Sequence, residues 1–196
     1  MDDSNRFSPS IQEAVNKFLT LRDVNHRNAS FDYCYNYFQT TPCYTDDMEK
    51  SCMVLGFYLA SWGMFRGSSF LLQRSARYFI PFIEYIEELD HSVWGIDADT
   101  YNHSNIEQIL EVYKKTVKIM IPGKQQAITL TTKILLGVFG FVPAYDNYFC
   151  DTFRSMYSGR CAFRSFNKKS PPKSQKAGTI INSKIFVVIN KLSLIT

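Results

Sequence analysis

The chain predicts an all-α fold: a compact orthogonal bundle of about seven helices with an irregular basic C-terminal tail. Three observations carry that prediction. Apolar residues recur at helical spacing in successive segments, capping residues and glycine or proline stops bracket those segments, and 196 residues with 45% hydrophobic content can bury one core without metals or disulfides. A single helical domain is expected over 1–166, with 167–196 a basic linker and apolar tail outside the core fold.

Ser8-Pro9 supplies an N-cap and a first helical residue, and Ile11, Val15, Phe18 and Leu19 then recur at helical spacing up to about Arg22. Phe31 to Phe38 fits two patterns. Phe31, Tyr33, Tyr35 and Tyr37 alternate like a strand, whereas Phe31, Cys34, Tyr35 and Phe38 fit a short helix, which is the assignment preferred. After Thr41-Pro42, Asp46 or Thr45 caps a helix with Asp47 and Glu49 in its first turn. Its later half, Met53 to Trp62, is apolar on nearly all sides and predicts a central helix, with Gly56, Ala60 and Gly63 permitting close neighbours.

Arg66-Gly67-Ser68-Ser69 punctuates the chain, and a helical stretch opens at Phe70 to Leu72 and restarts near Ser75 to end around Leu89. Pro81 inside it requires a bend or a first-turn position. His91 to Asn102 reads as a loop. Ser104 to Glu107 is a capping box, followed by the stripe Ile106, Ile109, Leu110, Tyr113 and Val117, which Pro122-Gly123 ends. Ala127 to Phe139 predicts another helix, closed by Gly140 as a left-handed cap. Phe141 to Pro143 is extended, and Asp146 caps a last helix running to about Tyr157. Beyond Phe166, Lys168 to Gly178 has linker composition, and Ile180 to Ile195 is an apolar, β-branched extension that the packing of the body does not specify.

The net charge of +4 conceals an asymmetry. Residues 1–151 hold 13 basic and 18 acidic side chains, whereas 152–196 hold nine basic and none acidic. A purely basic end fits either a solvated tail or contact with nucleic acid or another anionic surface. The start, Met1 to Phe7, lacks the basic and apolar regions of a secretory signal, and no run reaches membrane-span length, so a cytoplasmic protein with no membrane contact is expected. Five cysteines without C-x-x-C and three scattered histidines predict reduced thiols, no metal and no cofactor.

Three constellations are candidates for chemistry. The first runs from Thr132-Lys133 through an apolar stretch, Gly140 and Pro143 to Asp146. This order of lysine-bearing helix, apolar run, proline and helix-opening aspartate resembles the helix-hairpin-helix DNA glycosylase superfamily over residues 127–148. The resemblance implies Lys133 as the nucleophile that attacks the sugar and Asp146 as the group that activates it or stabilises the developing cation. The glycine-rich hairpin of that superfamily is not matched directly before Lys133, where the nearest upstream glycine is Gly123. On a helical wheel Lys133 and Thr129 form a narrow polar strip beside Gly137. Two placements stay open: an ammonium reaching out to solvent with Asp146 as a plain N-cap, or a cleft holding Lys133 against Asp146 with a depressed pKa.

The second constellation is Arg66, Ser68 and Ser69 around Gly67, where backbone N–H groups, hydroxyls and a guanidinium can meet a phosphate, or a serine can simply cap a helix. The stretch Gly56 to Leu72 also resembles uncharacterised bacterial proteins, which implies no activity. The third is the basic aromatic run Arg154, Arg160, Arg164, Lys168 and Lys169, interleaved with Tyr157, Phe163 and Phe166, which suits a phosphate backbone with stacked bases. Together these predict a nucleic-acid-binding helical protein, in one form a degenerate glycosylase-like protein, with DNA or another nucleic acid as the partner, the alternative being a non-catalytic helical domain that binds another protein.

Overall fold

The computed structural model describes residue 16 and residues 23–156 apart from 124–127, the side chains of residues 98 and 152–156 excepted. Apart from residue 16, the first expected helix lies outside the described residues, as do the linker and the apolar tail. Those described form seven α-helices and no strand: α1 Ala29–Thr40, α2 Met48–Ser61, α3 Ile80–Glu87, α4 His91–Trp94, α5 His103–Met120, α6 Ile128–Phe139 and α7 Asn147–Met156. None is long and apolar enough to cross a membrane.

In α1 the helical pattern prevails over alternation because Phe31, Cys34 and Phe38 form one buried face, while Tyr33 is exposed. Helix α2 begins one residue later than expected, since the Asp47 carboxylate accepts the Lys50 N–H at 3.0 Å. It packs against α1, α3 and α6 but is not enclosed: Met53 and Phe57, one turn apart, are 55% and 64% exposed. The enclosed helix is α6, in which Leu130 to Phe139 are all buried. An apolar helix covered on every side must be surrounded by other elements, and α1, α2 and α5 do this.

Pro81 falls in the first turn of α3, where its missing N–H leaves no helical bond unmade, and the segment before it forms two 3-10 turns, Phe70–Gln73 and Ala76–Phe79. The expected loop from His91 to Asn102 is instead partly helical. Asp90 caps α4 by accepting the Ser92 N–H at 2.8 Å, and Ala98–Thr100 is a further 3-10 turn. The capping box at Ser104 is likewise displaced: Asn102 is the N-cap of α5, accepting the Asn105 N–H at 2.9 Å, so Ser104 lies inside the first turn.

The C-terminal ends of α2, which borders the cavity described below, and of α6 have the local chemistry that their residues dictate. At the end of α2, Gly63 has φ +77°, with Gly63 N–H bonded to Ala60 O at 3.0 Å and Met64 N–H to Leu59 O at 2.8 Å. This is a Schellman ending, and it leaves the Ser61 and Trp62 carbonyls to other donors. At the end of α6, Gly140 has φ +75° and bonds to Leu135 O and Leu136 O, which is the left-handed cap expected of it.

Candidate functional site

Lys133 lies on α6 opposite the C-terminus of α2, held there by an aromatic contact of close range. Gly137, one turn along, has no Cβ, and Tyr58 of α2 fills the space with its ring. The Tyr58 hydroxyl donates to Lys133 O at 3.0 Å, so the ring and the hydroxyl together set the separation of the two helices. The Lys133 side chain then reaches across to donate from Nζ to Trp62 O at 2.9 Å, with the ammonium 6.0 Å from the Trp62 ring centroid. Only 5% of the residue is exposed, so it does not reach out to solvent. The ammonium finds its acceptor at the α2 terminus, where the helix dipole also favours a cation.

Asp146 meets the same ammonium from the other side. Its Oδ2 lies 3.5 Å from Lys133 Nζ, while its Oδ1 accepts the Phe149 N–H at 3.0 Å as the N-cap of α7. The carboxylate is aimed by the residue before it, which two threonines of α6 clamp. Tyr145 N–H donates to Thr132 Oγ1 at 2.9 Å, and Thr129 Oγ1 donates to Tyr145 O at 3.0 Å. Both placements left open by the sequence are therefore partly realised: Asp146 is an N-cap, and it is also the carboxylate beside a buried Lys133.

Two further cations come to the same helix end. Arg27 Nη1 lies 3.4 Å from Ser61 O, and the Arg66 side chain crosses the face of Gly63, where a Cβ would stand 2.9 Å from Arg66 Nε. Arg27, Arg66, Lys133 and Asp146 line one cavity of about 860 Å³, with Ser68 and Ser69 on the wall and Tyr148 at the side of α7. Ser69 is committed locally, its hydroxyl donating to Met64 O at 2.6 Å and accepting the Leu71 N–H, whereas Ser68 is exposed. The Trp62 indole Nε1 in the same wall is buried with no hydrogen-bond partner.

Of the site residues read from the sequence, the structure brings together Lys133, Asp146, Arg66, Ser68 and Ser69. Arg154 lies in α7 with its side chain outside the described set, and Arg160, Arg164, Lys168 and Lys169 lie outside the described residues. Sequence reasoning missed Arg27, Trp62 and Tyr148. Arg27 stands in a polar stretch without a motif, whereas an apolar Tyr148 beside the cap Asp146 offered a signal.

Burial holds the Lys133 ammonium below the ordinary lysine range; Asp146 opposes that shift, and the Arg66 and Arg27 charges add to it. The unfolded chain therefore binds more protons than the folded one between the lowered value and the ordinary 10.5, and Lys133 makes stability rise with pH across that window. Lys133→Met is expected to remove this rise. Urea unfolding of both proteins at a series of pH values up to about 10.5 would show the wild type gaining on the variant. A difference independent of pH would mean that the ammonium is not disfavoured by its surroundings.

The cavity carries an excess of positive charge even after Asp146 and the roughly half negative charge of the α2 terminus are counted, so its chemistry favours an anionic ligand. No group of histidine, cysteine, aspartate and glutamate among the described residues is arranged to hold a metal ion. Comparison of the chain with protein-family models, with curated proteins and with solved structures finds no match.

Proposed function

We propose that the chain is a nucleic-acid-binding helical protein, with DNA as the partner and this cavity as the place where the phosphate chain is engaged. The convergence of Arg27, Arg66 and Lys133 against a single carboxylate carries the reading. Guanidinium groups present a planar fork of donors that matches phosphate oxygens, and the Gly67 turn sets Ser68 beside them. The basic run starts at Arg154 within α7, the helix that Asp146 opens at this cavity, and continues in sequence with Arg160, Arg164, Lys168 and Lys169. A cytoplasmic location accords with the free thiols of Cys34, Cys43, Cys52 and Cys150.

The glycosylase-like form of this reading makes Lys133 the nucleophile and Asp146 its partner. In its favour are the buried ammonium, its lowered pKa and the 3.5 Å approach of the carboxylate. A single titration series tests both forms. Fluorescence anisotropy with labelled DNA is expected to show binding that weakens steeply with salt, and Arg66→Ala is expected to weaken it and to reduce the log–log salt slope by about 1. Lys133→Met, in the same series with lesion-bearing DNA, is expected to keep most of the binding and to lose any strand processing. Binding that is absent or insensitive to salt would overturn the reading and favour the alternative, a protein-binding domain, for which the exposed Met53 and Phe57 on α2 provide an apolar surface.

A further inference from the structure

Resting on that reading of the cavity, we infer that its ligand is a nucleotide with an unpaired base, the base stacked on Tyr148 at the cavity wall and the phosphate held by Arg27 and Arg66. Tyr148 is 83% exposed, although its neighbours on the first turn of α7 are packed: Phe149 stacks on Tyr145 at 5.4 Å and Cys150 is buried. Tyr148 is one of the residues that line the cavity, largely open to solvent, in the first turn of the α7 that Asp146 caps. An aromatic face at the edge of a cationic cavity suits a base, because every base has a π-face while the charge beside it meets the phosphate.

A paired base within a duplex presents only its edges, so a face-on platform selects nucleotides outside the stack. The cavity, about 860 Å³, falls in the range of small-ligand sites and has room for one such unit. Arg27 spends one long contact of 3.4 Å on Ser61 O, which leaves most of its donors for a phosphate. Ser68 and Asn147, both exposed and both lining the cavity, are the neutral groups placed to meet a base edge. The unpaired nucleotide has two possible sources, a free nucleoside monophosphate or an unpaired position in a strand, and both present the same chemistry.

The test is an anisotropy titration of the full chain with a short single strand and with the same sequence as a duplex. Nucleoside monophosphate is then added as competitor. The single strand is expected to bind tighter than the duplex at equal salt, and Tyr148→Ala to lose roughly tenfold of single-strand affinity with the salt slope unchanged, as stacking is not an ionic term. Tyr148→Phe is expected to retain that affinity, because the ring and not the hydroxyl makes the contact. Competition by the monophosphate identifies the free nucleotide as the source; strand binding without such competition identifies the strand. Equal affinity for both DNA forms with no effect of Tyr148→Ala would overturn the inference while leaving the salt-dependent binding of the proposed function standing. Absence of salt-dependent binding to either form would overturn both.

Discussion

Asp146→Ala is expected to destabilise the protein by about 3 kcal/mol, because one carboxylate serves two structural purposes. Its Oδ1 caps α7 through the Phe149 N–H, and its Oδ2 is the counter-charge of a Lys133 that is 5% exposed. Loss of a cap costs about 1 kcal/mol; stranding a buried ammonium costs the larger part. The remaining Trp62 carbonyl supplies a partial charge only, and the Arg27 and Arg66 cations nearby disfavour the ammonium further. In a chain of 196 residues this corresponds to a fall in Tm of roughly 6–12 °C. Asp146→Asn keeps a capping oxygen and should lose less, while Asp146→Ala combined with Lys133→Met should be more stable than Asp146→Ala alone. Thermal and urea unfolding of wild type, Asp146→Ala, Lys133→Met and the double variant measure that coupling. An Asp146→Ala variant as stable as wild type would show that the pair at 3.5 Å contributes nothing to the fold.

Gly137→Ala should be of comparable severity although it adds only one methyl group. A Cβ at this position would stand 2.3 Å from Tyr58 Cε1 and 2.8 Å from Tyr58 Cζ. The ring cannot retreat easily: it is 1% exposed, lies between the Phe31 and Trp62 rings, and is tied through its hydroxyl to Lys133 O. Alanine favours a helix over glycine by about 1 kcal/mol, but overpacking of a filled core costs about 3 kcal/mol at the upper end of its usual range, and the second effect wins. Pairing Gly137→Ala with Tyr58→Leu should recover part of the loss, since the second substitution vacates the space that the first needs. Unfolding curves of the two single variants and the double variant decide it. Wild-type stability for Gly137→Ala would mean that α2 and α6 separate at little cost. Because Tyr58 also positions the backbone of Lys133, the same variant is expected to displace the ammonium from Trp62 O.

Part of the cavity lining was legible in the sequence, and the reasons differ by residue. Lys133 stood out as a lone lysine in an apolar helix, and Asp146 as a favoured capping residue ahead of the next one. Arg66 and Ser68 were marked by the glycine between them, and Gly67 does adopt φ +61°. Arg27 carried no such mark, because its role depends on an acceptor, Ser61 O, 34 residues away along the chain. The capping box at Ser104 misled for a local reason. Two N-cap candidates stand two residues apart, and the extended backbone at Asn102 let its carboxamide take the Asn105 N–H first.

What the sequence by itself determined is local: the helical character, the glycine-stopped end at Gly140 and the cap at Asp146. These follow from interactions within one or two helical turns, which a string of residues records directly. Only the tertiary structure decided the environment of Lys133. Its side chain is long enough to reach solvent, and nothing within α6 prevents that; the ammonium stays inside because a carbonyl 71 residues away, exposed by the Schellman turn after α2, lies where the chain of methylenes ends. A buried charge takes its partners from whatever elements the packing brings alongside, and those were Trp62 and Asp146.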